Sequence, residues 1–249
     1  RPARPRTPAR PAGIPHPNNL TPVQSGGPSG GCRPESYHDT PIDFDSSRAA
    51  GAMMGSGGMV VMDEDACLVD VSRFFLDFTR NESCGKCTFC RIGTQHLLEV
   101  LERITEGEGQ KSDQTLLQQL AEDIRDGSLC GLGKTAPNPV LTSLKYFSDD
   151  YLAHLEEKRC PGMVCRSLIA FYIDLDCCAR GCDVCEGCCP VDAVFTTRNR
   201  KKGIDQSLCV KCGECMVVCP PEYRAVMKVS PPELAPIVER GPESPKEEI

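Results

Sequence analysis

The chain has 249 residues, 40% of them hydrophobic, and a net charge of −7; this acidity argues against a nucleic-acid partner, since no dense basic face is available to displace counterions. Eighteen cysteines stand out, but a chain of this length can bury a core and needs no disulfide framework. It has no apolar run of eighteen residues and no secretory-type leader, so we expect a soluble, cytoplasmic protein without a membrane span.

The composition changes several times along the chain. Residues 1–24 contain seven prolines and four arginines but no acidic residue, so they predict a disordered arm. Glycine-rich residues 25–65 predict short strands joined by turns. Residues 66–159 predict a helical domain and residues 160–229 a cysteine-rich domain. Residues 230–249, with five prolines and several glutamates, predict a disordered tail.

Apolar side chains at helical spacing predict four amphipathic helices that pack as a small bundle. The stripes are Phe74, Phe75 and Phe78; Leu97, Leu98, Leu101 and Ile104; Leu116, Leu117, Leu120 and Ile124; and Leu141, Leu144, Phe147, Tyr151 and Leu155. Pro137 and Pro139 mark the entry to the fourth helix.

The first cysteine set has three members spaced by two residues and a fourth that lies 40 residues further on. The set lies in the loops between predicted helices, and four thiolates can complete a [4Fe–4S] site. A structural zinc site is the alternative, but zinc sites usually use paired cysteines separated by a longer span. The ligands would be Cys84, Cys87, Cys90 and Cys130. Glu82 and Lys86 beside them could tune the potential, although a solvated surface role is the simpler interpretation.

The carboxy-terminal part repeats itself at an interval of about thirty residues, and each copy ends on Cys-Pro. This repeat resembles the two-cluster bacterial ferredoxin module, in which the last cysteine of each run ligates the cluster of the other run. The resemblance implies one cluster on Cys178, Cys182, Cys185 and Cys219 and another on Cys209, Cys212, Cys215 and Cys189.

One detail departs from that module. Three residues rather than two separate Cys178 from Cys182, so either the loop bulges there or the first cluster is altered. The adjacent Cys177 and Cys188 leave the choice of ligand open, and we interpret both as spare thiols. The role of Cys32 is not assigned.

A further group stands between the helical and the cysteine-rich parts. His154, Cys160 and Cys165 offer an imidazole and two thiolates, which could hold zinc with Cys67 as a fourth ligand. The alternative is that these are buried cysteines and a surface histidine.

Five further motifs stand along the chain: GGPSGGC at 26–32, DTPID at 39–43, GAMMGSGG at 51–58, ESCGKC at 82–87 and SLCGLGKTAPNP at 128–139. Together they resemble the carboxy-terminal half of the flavin-bearing, NADH-binding subunit of respiratory complex I. The segment CPGMVC at 160–165 and the ferredoxin repeat are more similar to the beta subunit of NAD-linked, often electron-bifurcating, [FeFe] hydrogenases. The resemblance covers about residues 25–229.

The resemblance implies an α+β fold with three parts: a small β-grasp-like remnant that belongs to a soluble-ligand-binding domain, a four-helix iron–sulfur bundle, and a two-cluster ferredoxin-like domain. It implies three [4Fe–4S] clusters. Relatives of this kind bind FMN and NADH in a domain ahead of the first motif, where this chain has the Pro/Arg arm. We therefore expect FMN and NADH only on a missing domain or a partner, and we do not expect this chain to oxidise NADH alone.

The resemblance thus predicts single-electron relay within a multi-subunit NADH-linked redox complex, with a thioredoxin-like [2Fe–2S] subunit and a hydrogenase or dehydrogenase subunit as partners. Two other functions remain open at this point: a free-standing polyferredoxin electron carrier, and a zinc-stabilised interaction module without redox activity.

Overall fold

The computed structural model describes residues 22–241 except residues 38, 42 and 56, and the chain divides into two compact units. The first unit ends at Ser167 and the second begins at Leu168. Both units combine helices with small antiparallel sheets. This mixture confirms the predicted α+β class at the level of its helices and sheets.

The predicted arm lies largely outside the described residues, and the predicted tail lies partly outside them. Of the arm, residues 1–21 are not described, and the end of the arm belongs to a strand in which Val23 and Gln24 are buried. Of the tail, residues 242–249 are not described. The preceding residues make specific contacts, since Arg240 pairs with Asp205 at 3.1 Å.

A three-stranded antiparallel sheet opens the first unit, in the order β2–β1–β3. Its elements are β1 (Val23–Ser25), β2 (Gly31–Arg33), the helix α1 (Phe44–Ala49) and β3 (Met59–Val61). Gln24 lies opposite Cys32 across the β1–β2 pair. Asp43 begins α1, because its carboxylate accepts a hydrogen bond from the Ser46 N–H at 2.7 Å.

The rest of the first unit is helical. Its helices are α2 (Leu68–Asn81), α3 (Thr94–Thr105), α4 (Ser112–Gly127), α5 (Gly131–Thr135), α6 (Asn138–Tyr146) and α7 (Ser148–Glu156). The predicted fourth helix is in fact two helices, because Phe147 leaves the helical conformation with ψ near 40°. Asp149 and Asp150 then favour a new helix start, since carboxylates stabilise the positive end of the helix dipole.

The core of the first unit is formed largely by the predicted leucine stripes, but Leu116 on α4 is 38% exposed, contrary to the prediction. Leu97, Leu101 and Ile104 of α3 are fully buried, and so is Leu117 of α4. The aromatic stripe of α2 was predicted incorrectly. Phe75 is buried, whereas Phe74 and Phe78 are 63% and 47% exposed. Phe74 and Phe78 are one turn apart and share a face that turns away from the core.

The second unit repeats the order strand, cysteine loop, short helix, strand. The first copy contains β4 (Ala170–Ile173), α8 (Val184–Gly187) and β5 (Val194–Thr196), and the second contains β6 (Lys202–Ile204), α9 (Glu214–Val218) and β7 (Val226–Val229). The outer strands β4 and β7 pair antiparallel, as do the inner strands β5 and β6. Each copy therefore contributes one strand to each pair.

Within the part of the chain that is described, no helix is long and apolar enough to cross a membrane.

Candidate iron–sulfur and metal sites

The four cysteines of the first set lie on the loops that join helices of the first unit. Cys84 and Cys87 follow α2, and Cys90 lies in a single π-helical turn, Phe89–Gly93, that leads into α3. Cys130 stands directly before α5, at its N-cap position. Short π-helical turns are frequent at functional sites, and the sequence pattern did not reveal this one.

The four thiols influence one another electrostatically. Burial raises the pKa of Cys90, and negative charge on Cys87, Cys130 and Cys84 would raise it further. The pKa of Cys87 is lowered, first by the Leu129 N–H and then by the Cys90 N–H. Backbone amides that point at a thiolate in this way stabilise its negative charge.

The polar residues next to the first cysteine set differ in their exposure and in their distance from the ligand sulfurs. Glu82 and Lys86, the predicted candidates for tuning, are both exposed. Ser83 was not singled out in the sequence, yet its Oγ lies 3.2 Å from the Cys90 Sγ. Its place immediately before Cys84 was the only signal available.

The second unit contains two cavities, and each is lined by cysteines from both halves of the repeat. Each cavity encloses about 330 Å³ of space, part of it open to solvent. One is lined by Cys178, Cys182, Cys185 and Cys219, and the other by Cys189, Cys209, Cys212 and Cys215. Each cavity thus takes three cysteines from one half of the repeat and one from the other half, which is the ligand arrangement of a two-cluster ferredoxin. The donor set of four thiols fits a [4Fe–4S] cluster.

The core of the second unit is built around these cavities. Cys178, Cys185 and Cys215 pack among buried apolar residues such as Phe171 and Val194. Burial raises the pKa of Cys185 to about 11 and that of Cys215 to about 12. These thiols are therefore neutral without metal, and ligation must release their protons.

The extra residue between Cys178 and Cys182 is absorbed in a turn. Gly181 adopts φ +76°, a conformation that favours glycine, and its N–H donates to the Arg200 carbonyl. Both flanking cysteines still line the same cavity.

Cys177 and Cys188, which are adjacent in sequence to predicted ligands, make hydrogen bonds of their own. The Cys177 Sγ donates to the Asp174 carboxylate at 3.4 Å, and the Cys188 Sγ donates to the Cys185 carbonyl at 3.2 Å. Neither residue is among those that line the two cavities.

A different kind of site lies wholly within the first unit. Among the described residues, one group of histidine, cysteine or acidic side chains has the spacing of a single-ion site, and its ligand atoms all lie within 4.8 Å of one another. Its members are Cys67, His154, Cys160 and Cys165, and all four are buried.

The distances in this group suit a tetrahedral zinc ion. The Cys67 and Cys165 sulfurs are 3.7 Å apart, and the His154 Nε2 lies 3.4 Å from each of them. With Zn–S near 2.3 Å and Zn–N near 2.1 Å, tetrahedral geometry requires about 3.8 Å between sulfurs and about 3.6 Å between sulfur and nitrogen.

The surroundings of the group orient its ligands. The His154 Nδ1 lies 2.6 Å from the Asp150 carbonyl, to which an Nδ1–H donates, and this leaves Nε2 free to ligate. Cys160 accepts hydrogen bonds from the N–H groups of Val164 and Cys165. Thiol hydrogen bonds from Cys165 and Cys67 lower the pKa of Cys160, while hydrogen bonding to Cys160 raises the pKa of Cys67 and Cys165.

Comparison with known families matches both units. Residues 70–154 match the NADH-ubiquinone oxidoreductase-F iron-sulfur binding region, and residues 202–226 match a 4Fe-4S binding domain. The first match contains Cys84, Cys87, Cys90 and Cys130, and the second contains Cys209, Cys212, Cys215 and Cys219.

Two curated relatives and one solved structure extend this result. The NADP-reducing hydrogenase subunit HndC of Solidesulfovibrio fructosivorans is 49% identical over 178 residues, which are 72% of this chain and 36% of the relative. An NADH-quinone oxidoreductase subunit of Rhizobium meliloti (strain 1021) is 42% identical over 139 residues, 56% of this chain and 33% of the relative. A crystal structure of the NAD+-reducing [NiFe]-hydrogenase in the H2-reduced state matches with a TM-score of 0.50 and 32% identity, covering 55% of this chain and 24% of that chain.

The chain therefore spans about a third of the length of the curated relatives it matches. Both relatives are named as subunits of NAD(P)-linked oxidoreductases, and the matched regions bind iron–sulfur clusters. These findings confirm the resemblance predicted from the motifs: the chain carries iron–sulfur binding regions similar to those of the NADH-binding subunits of NADH-linked dehydrogenases and hydrogenases, followed by a 4Fe-4S binding domain.

Proposed function

We propose that this chain relays single electrons through three [4Fe–4S] clusters, between a flavin on another domain or partner and the ferredoxin-type clusters of its second unit. The observation that carries the proposal is the crossed lining of the two cavities, where Cys219 joins the first run and Cys189 joins the second. A chance grouping of thiols, or a set of separate zinc knuckles, would not exchange its last ligand between the two halves of a repeat.

Twelve cysteines would hold the clusters, in three sets. The first set is Cys84, Cys87, Cys90 and Cys130; the second is Cys178, Cys182, Cys185 and Cys219; the third is Cys189, Cys209, Cys212 and Cys215. A bound cluster accepts and donates one electron at a time. The chain contributes thiolate ligands, hydrogen bonds to sulfur and burial, which together set the reduction potential. Such a relay needs no general acid, base or nucleophile.

The fourth group, Cys67, His154, Cys160 and Cys165, would hold a structural zinc ion. All four positions are filled by protein ligands that are buried, and this closed arrangement is typical of structural rather than catalytic zinc. Cys67 is also the residue that begins α2, where its sulfur accepts the Asp70 N–H. The ion would thereby tie the start of α2 to the segment that follows α7.

The wider assembly is inferred from relatives rather than from this chain. We expect FMN and NADH to bind on a further domain or partner, and we expect a thioredoxin-like [2Fe–2S] subunit and a hydrogenase or dehydrogenase subunit as neighbours. The strand and helix elements of residues 25–65 would be the remnant of a β-grasp domain. A cytoplasmic location fits thiolate ligands, which need a reducing compartment.

The test is to purify the chain without oxygen, reconstitute it, and count iron, sulfide and zinc beside the EPR spectrum of the reduced form. We expect about twelve irons and twelve sulfides per chain, with the magnetic interactions of neighbouring [4Fe–4S] clusters. One further zinc would support the fourth site. Four zincs with no sulfide would refute the electron-transfer function and favour the zinc-stabilised module, while rapid electron exchange with unrelated carriers would favour a free polyferredoxin.

A further inference from the structure

The first cluster site contains a buried hydroxyl group that lacks a regular hydrogen bond. Ser128 is 3% exposed, and its Oγ has no hydrogen-bond partner among the described residues. An unpaired buried hydroxyl is unfavourable and therefore calls for an explanation, such as a group that binds there. Ser128 stands two residues before Cys130, on the loop that carries this ligand.

The position of the hydroxyl points to the cluster. Ser128 is close enough to Cys87 to help lower the pKa of that thiol, behind the backbone N–H groups of Leu129 and Cys90. The backbone of α5 holds it there from the other side, because a Cβ on Gly133 would lie 2.5 Å from the Ser128 Oγ and 3.2 Å from the Cys90 Cβ. The side chain is thus confined between α5 and the ligand cysteines.

A second hydroxyl faces the same site from the opposite loop. The Ser83 Oγ accepts the Gly85 N–H at 3.3 Å and lies 3.2 Å from the Cys90 Sγ. The Gly85 N–H occupies one of the two lone pairs of this oxygen, and the hydroxyl proton can point at the sulfur. Two hydroxyl groups therefore flank the first cluster site, one beside Cys87 and one beside Cys90.

We propose that Ser83 and Ser128 are positioning residues that donate O–H···S hydrogen bonds to the ligand sulfurs of the first cluster and raise its reduction potential. The inference rests on the proposed function. Reduction adds one negative charge to the cluster and its thiolates, and a hydrogen-bond donor stabilises the more negative state. In the second unit, by comparison, Cys189 and Cys219 accept hydrogen bonds from the backbone N–H groups of Ala193 and Ala225.

The experiment is an anaerobic, EPR-monitored redox titration of the full reconstituted chain and of its Ser83→Ala and Ser128→Ala variants. We expect each variant to weaken reduction of the first cluster about five-fold, which lowers its potential by about 40 mV at 59 mV per tenfold change. The two clusters of the second unit serve as an internal reference and should keep their potentials. Ser83→Thr retains the hydroxyl and should restore the wild-type value.

Thr135→Ala is the control, because the Thr135 hydroxyl lies on α5, the helix that begins after Cys130, but donates to the Gly131 carbonyl at 2.8 Å. It should leave the potential unchanged. Unchanged potentials in both alanine variants, or an equal shift in Thr135→Ala, would overturn the inference.

Loss of the cluster and loss of the hydrogen bond can be told apart. If Ser128→Ala fails to assemble the first cluster, the test rests on the alanine and threonine variants of Ser83, which is less buried. An unchanged potential in Ser83→Ala would then overturn the inference. A wild-type chain that assembles no [4Fe–4S] cluster refutes the proposed function itself, whereas three intact clusters with no shift refute the role of the serines alone.

Discussion

Loss of one ligand from the proposed zinc site has an effect that can be separated from ordinary packing. Cys165→Ser removes a ligand sulfur with little change in volume, at a position that is 4% exposed. Cys32→Ser is the matched control: Cys32 is also fully buried, in β2, but it belongs to no candidate site. Each variant buries a hydroxyl where a thiol stood, at a cost of about 1–3 kcal/mol if it stays unpaired.

Cys165→Ser should also lose the stability that bound zinc gives to the folded state. A ligand that binds only the folded state at 100 times its Kd stabilises that state by about 2.7 kcal/mol. For a unit of this size, roughly 2–4 °C of Tm corresponds to each kcal/mol, so we expect Cys165→Ser to melt roughly 5–11 °C below Cys32→Ser.

The assay is thermal unfolding under anaerobic conditions, followed by circular dichroism, with zinc content measured by elemental analysis. A zinc chelator should lower the Tm of the wild type and of Cys32→Ser but leave Cys165→Ser unchanged. Equal melting of the two variants, together with a wild type that contains no zinc and ignores the chelator, would show that these ligands hold no metal.

Three further predictions test the cluster sites and the core. Cys219→Ser should remove about four irons per chain, together with the EPR signal of the cluster held by Cys178, Cys182 and Cys185. The control Cys188→Ser should keep all its iron and all its EPR signals. Loss of the cluster held by Cys209, Cys212 and Cys215 in Cys219→Ser would contradict the crossed assignment. Gly133→Ala should lower the iron content of the first site, because the new methyl group would lie 2.5 Å from the Ser128 Oγ. Gly131→Ala should keep its iron, because no atom lies within 4 Å of the added methyl group. Equal iron content in the two variants would count against this packing. Burial raises the pKa of the Cys32 thiol from 9.0 to about 12, so the folded chain keeps a proton that the unfolded chain loses, and urea unfolding should show stability falling from about pH 9 towards pH 12. Cys32→Ala should lack this part of the decline, and an identical pH profile in the variant would show that Cys32 does not cause it.

Helical periodicity predicted where helices form better than which side chains they bury. The stripe on α3 identifies the core, because all four of its apolar side chains are buried. On α4, Leu117 is buried but its neighbour Leu116 is 38% exposed, since adjacent residues do not share a helix face. Phe74, Phe75 and Phe78 fall within five residues, and periodicity could not tell which of them the neighbouring helices would cover. In the same way, the stripe from Leu141 to Leu155 runs across the break at Phe147, because two helices that continue the same apolar pattern look like one.

The cysteine sets also show which features could be predicted from the sequence and which depend on folding. Local spacing brings Cys84, Cys87 and Cys90 into one short segment, so these three could be grouped from sequence. The place of Cys130 depends on α4, which returns the chain to the same loop. The hydroxyl of Ser128 becomes notable only when burial leaves it without a partner, a property that sequence does not display.

Cysteine spacing alone indicates iron–sulfur ligation, because thiolates separated by two residues can reach one cluster. Which distant groups meet depends on the folding of the chain. Pairing of β4 with β7 and of β5 with β6 brings the two halves of the repeat together, so that Cys219 and Cys189 can exchange cavities. Packing of α2 with α7 brings Cys67 to His154, since contacts between residues 87 positions apart arise only when the chain has folded.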